Sequence, residues 1–479
     1  VRPRPSRRAR LGTLASLAWP VVLTRAGILL MALADIVMVG RYDPDELAYA
    51  ALGNALFIVV LVTGIGLSMG VLTLTSQAFG AGDRLECGRV FRRGLAWAAA
   101  IGALGGLLVA SGEFWLSLIG HDPALAREGG AVAFAIALGL PTGMLHVVCS
   151  FHLESTRRPQ PGLVAMAIAN VVNVGLNAFL IYGLWGAPEL GAVGAAITTA
   201  TVRTLLFVAL FAYILTRLDR ADYGLDRLRG DQPTPGIWGS RFWGPGGWRA
   251  SASLRRLGFS AGVGLMCETS AYFALTQFAG FIGAGALAAY AIGHNVEAVV
   301  FMAALGVASA TAVMVGNAIG AGDRGEAAAA GWTGLAAVLM ATGAAALALW
   351  AFPGAVAGIY AEELGLAAAA AALMGWIGLL SILDGAQIVM SQACRATGDA
   401  WAVTYRAMAA FWGVMIPLSW LFGVWAGLGV PGLLFGAMVG CGTNLILQCA
   451  RFQALMRPPP RLAAGLDARE IRAPLEGGA

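Results

Sequence analysis

Apolar residues run along this chain in long blocks that short polar segments separate. A helix needs about 20 apolar residues to cross a hydrocarbon core of about 30 Å. Lipid offers backbone groups no hydrogen-bond partners, so helices are the expected form. The pattern predicts an all-α polytopic membrane protein whose twelve transmembrane helices lie near 14–39, 50–76, 94–112, 130–151, 163–184, 191–215, 256–281, 287–315, 331–351, 364–391, 403–426 and 431–455.

The pentapeptide GAGDR occurs twice, at 80–84 and at 320–324. Residues 47–84 align with 287–324 without a gap, and 13 of the 38 positions are identical. This repeat indicates two six-helix bundles, and we expect GAGDR to form a tight turn in each. Six spans return the chain to the same side, so a pseudo-two-fold axis along the membrane normal should relate the bundles. The predicted domains are an N-terminal bundle (1–216), a cytoplasmic linker (217–253), a C-terminal bundle (254–455) and a cytoplasmic tail (456–479).

The charged residues indicate how the chain is oriented. Only 12% of residues are charged, against about 25% in soluble domains. All but four of the 31 basic residues, every one an arginine, fall in the tails, the linker or the even-numbered loops; the exceptions are Arg25, Arg41, Arg127 and Arg203. This positive-inside asymmetry predicts a multi-pass protein of the plasma (inner) membrane with both termini cytoplasmic. The net charge of +5 therefore reflects orientation, and we expect no nucleic-acid binding.

Several acidic residues lie inside predicted spans. An ionisable side chain at the bilayer centre costs about 2.5–3.5 kcal/mol on insertion scales, so these residues should face protein or water. Asp35, Glu268 and Asp384, in the first, seventh and tenth spans, are candidate sites for a coupling cation. Other polar side chains share helix faces in the fifth, seventh, eighth and tenth spans, and we expect them to line a cavity: Asn173, Asn177, Tyr272, Tyr290, His294, Glu297 and Gln387.

The sequence leaves alternatives for several of these residues. Asp35 pairs with Arg25 in one interpretation, and Arg203 pairs with Glu268 or Asp384 across the bundle in another. The asparagines also suit contacts between helices. His294 suits a packing role, and Glu297 suits a solvated helix end.

Taken together, these segments resemble the multidrug and toxic compound extrusion (MATE) family, and its NorM-like branch fits best. MALADIVMVG, MCETSAYF and DGAQIVMSQACRATGD resemble the family's acid-bearing helices, which places those acids on Asp35, Glu268 and Asp384. VVNVGLNAFLIYG and LAAYAIGHN are similar to its fifth and eighth helices, which implies roles for Asn173, Asn177 and Tyr290. The resemblance implies efflux of cationic, often aromatic drugs in exchange for Na⁺ or H⁺ by alternating access.

A physical mechanism accompanies this expectation. Glu268 and Asp384 form the proposed exchange site, because a buried carboxylate favours one cation at a time. Sodium prefers hard oxygen ligands such as those of Glu268 and Asp384, whereas proton coupling needs one titrating acid; the sequence does not choose between the two ions. No phosphate-binding GxxxxGK[ST] motif occurs, so an ion gradient should supply the energy. Apart from Na⁺ or H⁺ we expect no cofactor.

Three other functions were weighed. A lipid-linked oligosaccharide flippase of the same superfamily is the first alternative. A membrane-embedded enzyme would need clustered catalytic histidines or a motif such as HExxH, and the four histidines are scattered, so we expect no enzyme. A channel or receptor fits the internal repeat poorly. The expected partners are small cationic or amphipathic molecules and the lipid bilayer, and the expected oligomeric state is a monomer.

Overall fold

The computed structural model describes residues 6–186, 188–225, 249–361 and 363–457, and its regular elements there are helices. In the N-terminal half they are α1 (Arg7–Tyr42), α2 (Pro44–Ala81), α3 (Arg84–Ala110), α4 (Gly112–Ile119), α5 (Pro123–Ala137), α6 (Leu140–Ser155), α7 (Gln160–Ile181) and α8 (Gly191–Arg217). In the C-terminal half they are α9 (Ala252–Ile282), α10 (Ala284–Gly320), α11 (Arg324–Ala351), α12 (Pro353–Tyr360), α13 (Leu364–Ala396), α14 (Trp401–Trp425) and α15 (Gly429–Met456). Much of the predicted linker (226–248) and tail (458–479) lies outside the described residues.

The helices confirm the all-α polytopic class. Ten of the described helices are long and apolar enough to cross a membrane, and α5 with α6, which meet at a bend of 42°, make an eleventh if the pair crosses as one span. The bend has a local cause, because Pro141 lies in the first turn of α6, where proline cannot continue the hydrogen bonding of a preceding helix. The 31-residue helix α9 is long enough for the twelfth span, although it carries Glu268 and is not among these ten.

The two GAGDR segments form the same turn in both halves. Gly82 and Gly322 adopt φ angles of 81° and 76°, in the left-handed region where glycine is favoured. The Asp83 side chain accepts the backbone N–H of the third residue of α3 at 2.8 Å, and Asp323 does the same for α11 at 2.9 Å. These bonds cap the helix N-termini. The repeated pentapeptide is therefore a repeated helix–helix bend, and the ends of the helices that meet it are called the GAGDR side below.

The two bundles pack closely on the GAGDR side. A Cβ atom on Gly66 of α2 would lie 2.6 Å from the Cα atom of Gly262 of α9, and one on Gly306 of α10 would collide with Val22 of α1. Gln77 of α2 also donates to a backbone carbonyl at the end of α13 at 2.8 Å. Among the described residues, every hydrogen bond between the bundles lies in the halves of the helices nearest these turns. The described conformation is therefore closed on the GAGDR side.

Replacing Gly66 with alanine is expected to open this side. The added methyl group meets backbone atoms of α9, and overpacking of this kind costs about 1–3 kcal/mol. We therefore expect at least about a fivefold shift toward conformations in which the GAGDR turns are farther apart. Distances between spin labels on the two turns would report this shift. Gly175→Ala is the matched control, because a Cβ atom there meets nothing within 4 Å. Equal distance distributions in the two variants would contradict the expectation.

Candidate cation site

Three buried carboxyl groups meet in the C-terminal bundle. They belong to Glu268 on α9, Glu297 on α10 and Asp384 on α13, and their residues are 9%, 4% and 2% exposed. The Gln387 amide nitrogen donates to Glu268 Oε1 at 2.9 Å and to Asp384 Oδ1 at 3.1 Å. The charges of Glu268 and Glu297 both act on Asp384. The structure thus brings four of the predicted site residues together, and the alternative of a solvated Glu297 at a helix end is wrong.

A chain of amide groups fixes the orientation of Gln387. Asn444 of α15 donates its amide N–H to Gln387 Oε1 at 2.7 Å. Gln448, one helical turn further along, donates to Asn444 Oδ1 and to the Val403 carbonyl, both at 3.0 Å. With its oxygen engaged, Gln387 must point its nitrogen at the carboxylates. The sequence analysis did not single out Asn444 or Gln448, although their spacing of four residues in the last span is the polar pattern it used elsewhere.

Replacing Asn444 with leucine is expected to slow transport about tenfold, since one buried hydrogen bond is worth about 1 kcal/mol or slightly more. Gln387 would lose the donor that holds its amide, while Gln448 would keep its bond to the Val403 carbonyl. The initial rate of dye efflux from proteoliposomes measures the effect. Thr443→Val is the matched control on the same helix, because the Thr443 hydroxyl donates only within α15. The same efflux rate in both variants would show that the amide chain does not position Gln387.

Aromatic rings line one side of the carboxyl cluster. The Tyr272 and Tyr290 rings both stack on the His294 imidazole, with ring centroids 5.5 and 6.0 Å from it. His294 Nδ1 lies 3.5 Å from Glu297 Oε2, and the imidazole side chain is 42% exposed. The Tyr272 hydroxyl lies 3.7 Å from the thiol of Cys441, which is itself 3.5 Å from Asp384 Oδ1. Ring faces beside carboxylates suit an organic cation, since both attract positive charge.

The C-terminal cluster contains more acid than base. Arg395, two turns beyond Gln387 on α13, is the arginine whose charge acts on Glu268. It is 9% exposed, and its Nε atom has no hydrogen-bond partner in the described part of the chain. Three carboxyl groups therefore share the cluster with Arg395, whose charge acts on one of them, Glu268. A bound cation would reduce the imbalance, and this is the main electrostatic property of the site.

The predicted polar residues of the N-terminal bundle also meet. Asp35 of α1 accepts hydrogen bonds from the Asn173 amide at 3.1 Å, the Asn177 amide at 2.5 Å and the Thr199 hydroxyl at 2.8 Å. The charge of Arg203 acts on Asp35, and its guanidinium lies 4.9 Å over the Phe57 ring. Arg203 therefore compensates the charge of Asp35, and the alternative that it pairs with Glu268 or Asp384 is wrong.

Arg25 has a different partner from the one considered in the sequence analysis. Its guanidinium lies 3.9 Å from Glu154 Oε1, so the alternative of an Asp35–Arg25 pair is wrong. Glu154 is 6% exposed and accepts the Ser150 hydroxyl at 3.1 Å and the Ser309 hydroxyl at 2.5 Å. Ser309 belongs to α10, so this carboxylate connects the two bundles. The sequence analysis missed Glu154 because it falls just beyond the predicted span 130–151.

The charges of the two bundles therefore differ in balance. In the N-terminal bundle, Asp35 is matched by Arg203 and Glu154 by Arg25. In the C-terminal bundle, three acids lie together and the charge of Arg395 acts on one of them, Glu268. Within the described ranges, no group of three or more histidine, cysteine or acidic side chains is arranged to hold a metal ion. The Na⁺ site predicted at Glu268 and Asp384 stays a prediction, as do the transport roles of the site residues.

Comparison with known proteins identifies relatives for both halves. The MatE family model matches residues 20–179 and 261–421, one segment in each half. The chain is 36% identical over 443 residues to the probable multidrug resistance protein NorM of Caulobacter vibrioides, covering 91% of this chain and 90% of that protein. It is 24% identical over 452 residues to the multidrug resistance protein MdtK of Yersinia pseudotuberculosis, covering 93% and 96%.

Solved structures share the fold. The crystal structure of the eukaryotic MATE transporter AtDTX14 superposes with a TM-score of 0.80 at 16% identity, covering 94% of this chain and all of that one. A MATE protein crystallised in a bent conformation gives a TM-score of 0.80 at 17% identity, covering 95% and 98%. At these identities the likeness concerns the fold alone, and it agrees with the predicted architecture of two six-helix bundles.

Proposed function

Because this chain belongs to the MatE family and resembles its NorM-named members most closely among the relatives above, we propose that it is a secondary active antiporter. It exports cationic and aromatic compounds in exchange for Na⁺ or H⁺ by alternating access, and it carries out no covalent reaction. The observation that carries this proposal is the group of three buried carboxyls beside aromatic rings, in which the charge of Arg395 acts on Glu268 alone. The multidrug resistance names of the relatives support the class of substrate.

The excess of acid explains why ion and substrate compete. Two unit charges 4 Å apart interact by about 4 kcal/mol at the effective dielectric of a protein surface. A first cation at Asp384 and Glu268 cancels much of the attraction for a second. The Gln387 amide nitrogen donates to both carboxylates. Binding of a cation at one carboxylate therefore also affects the other, because the two share this donor. Transport then requires that each cation bind the two conformations with different affinity, since equal affinity shifts nothing.

Glu268 and Asp384 are also the residues that would hold the coupling ion. Their carboxylate oxygens are hard ligands suited to Na⁺, and either carboxyl could instead carry the proton. Moving one charge through 100 mV provides about 2.3 kcal/mol in addition to the ion gradient. The transport experiment described below, which applies Na⁺ and pH gradients separately, therefore decides between Na⁺ and H⁺.

The membrane arrangement completes the proposal. We place the arginine-rich GAGDR side in the cytoplasm of the cell and the protein in the plasma (inner) membrane, with both termini cytoplasmic. The closed GAGDR side then belongs to an outward-facing conformation. One chain supplies both bundles, so a monomer is sufficient.

An oligosaccharide flippase is disfavoured, because the interior arginines Arg25 and Arg203 are matched by acids and are not available for a lipid pyrophosphate.

Proteoliposomes with a single imposed gradient test the proposal. Vesicles containing the purified full-length chain are loaded with ethidium, and Na⁺ and pH gradients are applied in separate experiments. We expect ethidium to move when one of the gradients is present and to stay at equilibrium without either. Protein-free vesicles provide the control for leakage. The experiment is repeated with norfloxacin in place of ethidium. If the movement of both compounds matched that in protein-free vesicles under both gradients, the proposal would be rejected.

A further inference from the structure

A groove of about 700 Å³ opens on the outer surface of the N-terminal bundle at the GAGDR side. The first turns of α1, the start of α7 and the end of α8 form its walls, and the segment between α6 and α7 forms its mouth. This groove is separate from the carboxyl cluster of Glu268, Glu297 and Asp384. Two arginines, Arg157 and Arg158, stand at the mouth, and Tyr213 of α8 adds a hydroxyl group.

The two arginines are exposed and lack acidic partners. In the ranges that the structure describes, no carboxylate pairs with either guanidinium; the charge of Arg158 acts on the phenol of Tyr223. Arg157 has a φ angle of 61° and is the one non-glycine residue of these ranges in the left-handed region. Such backbone strain is unusual for a long side chain and is found where the structure holds a residue in place. The chain thus holds two adjacent positive charges at the mouth of the groove.

The walls below the arginines are apolar. Val164 and Ile168 lie on successive turns of α7 and are 58% and 59% exposed. Ala209 of α8, which is exposed, lines the opposite wall. From Gln160 at the mouth to Ile168 the groove extends about 12 Å along the helix axis. A positive mouth above an apolar channel of this length, on a surface that faces lipid, complements a phosphate joined to acyl chains.

We propose that this groove binds an anionic diacyl phospholipid from the leaflet on the GAGDR side. The phosphate contacts the two guanidiniums, whose planar donors suit phosphate oxygens, and one acyl chain lies along Val164, Ile168 and Ala209. Basic pockets between transmembrane helices are a known form of lipid recognition. Leu17 and Pro159 line the groove and also lie beside Glu154 and Ser309, so a bound lipid would touch the region where the bundles meet.

Lipid titration of the purified full-length protein tests the proposal. Dioleoylphosphatidylglycerol is added to detergent-solubilised protein, and native mass spectrometry counts the bound lipids. We expect the first phosphatidylglycerol to bind the Arg157→Gln/Arg158→Gln variant about 25-fold more weakly than wild type, as expected for two arginines near a charged lipid. The matched control is Arg249→Gln/Arg256→Gln, which removes two exposed arginines at the start of the other bundle and should leave the affinity unchanged.

Two further arms separate a lipid site from general attraction. Ala209→Trp fills the exposed wall of α8 within the groove and keeps both arginines, so it should also weaken phosphatidylglycerol binding, even if the arginine variant does not fold. Glycerol phosphate, which lacks acyl chains, should not compete at equal concentration. Unchanged binding in the Trp variant, equal binding of phosphatidylethanolamine, or full competition by glycerol phosphate would each overturn the proposal.

Discussion

Replacing Asp384 with asparagine abolishes ion-driven efflux, on this account, while the protein stays folded. Asparagine retains an oxygen that can accept the hydrogen bond that Gln387 donates at 3.1 Å, so the local packing changes little. The substitution removes the charge that a Na⁺ ion or a proton would neutralise. Coupling then fails, because the coupling ion no longer binds one conformation better than the other. We expect efflux to fall at least about 100-fold, which corresponds to about 2.7 kcal/mol, and Glu268→Gln to act in the same direction.

Efflux of ethidium from proteoliposomes under an imposed gradient measures this effect. Asp222→Asn is the control, because it removes an acid from an exposed pair with Arg84, in which both side chains are about half exposed; such surface pairs contribute little. Size-exclusion profiles of the variants confirm that they remain folded. Normal accumulation ratios in both Asp384→Asn and Glu268→Gln would reject the assignment of these residues to the coupling site.

Replacing Arg25 with methionine is expected to destabilise the protein by about 3 kcal/mol. Glu154 is 6% exposed, and removal of the partner of a buried charge typically costs about 3–5 kcal/mol. The lower end applies because the hydroxyls of Ser150 and Ser309 still donate to the carboxylate, and because the two charges are 3.9 Å apart. Unfolding in mixed micelles, followed by circular dichroism, measures the change in the free energy of unfolding.

A second substitution identifies the cause of that loss. Glu154→Gln keeps a group that can accept the serine hydroxyls and removes the unpaired charge, so the double variant Arg25→Met/Glu154→Gln should recover most of the lost stability. Arg84→Met serves as the control, since its exposed pair with Asp222 should contribute at most about 1 kcal/mol. If the double variant were as unstable as Arg25→Met, the lost stability would come from the packing of Arg25 and not from its charge.

The sequence predicted those features that depend on local pattern or on the cost of burying charge. Long apolar blocks must be helices in lipid, and a repeated Gly-Asp pair forms a repeated turn. Asp384 and Glu268 could be predicted to face inward because ionisable groups in lipid are costly. The structure shows them buried and in contact with one amide. Their role in coupling stays a prediction.

The partners of these groups could not be read from the sequence. Glu154 meets Ser309, which lies 155 residues away in the other bundle, and only the packing of α6 against α10 brings them together. Arg25 was considered for Asp35 because both lie on α1, yet the helix presents them to different neighbours. The bend between α5 and α6 was also missed, because one continuous apolar block covers both helices.

Equilibrium binding to the purified protein tests the central claim most directly. That claim is that one acidic site takes either the coupling cation or the organic cation. Radiolabelled tetraphenylphosphonium is titrated against the protein at increasing Na⁺ concentration and, separately, at decreasing pH. We predict that at least one of these cations weakens tetraphenylphosphonium binding competitively, and that Asp384→Asn removes the competition. Binding that is independent of both Na⁺ and pH in the wild-type protein would contradict the account.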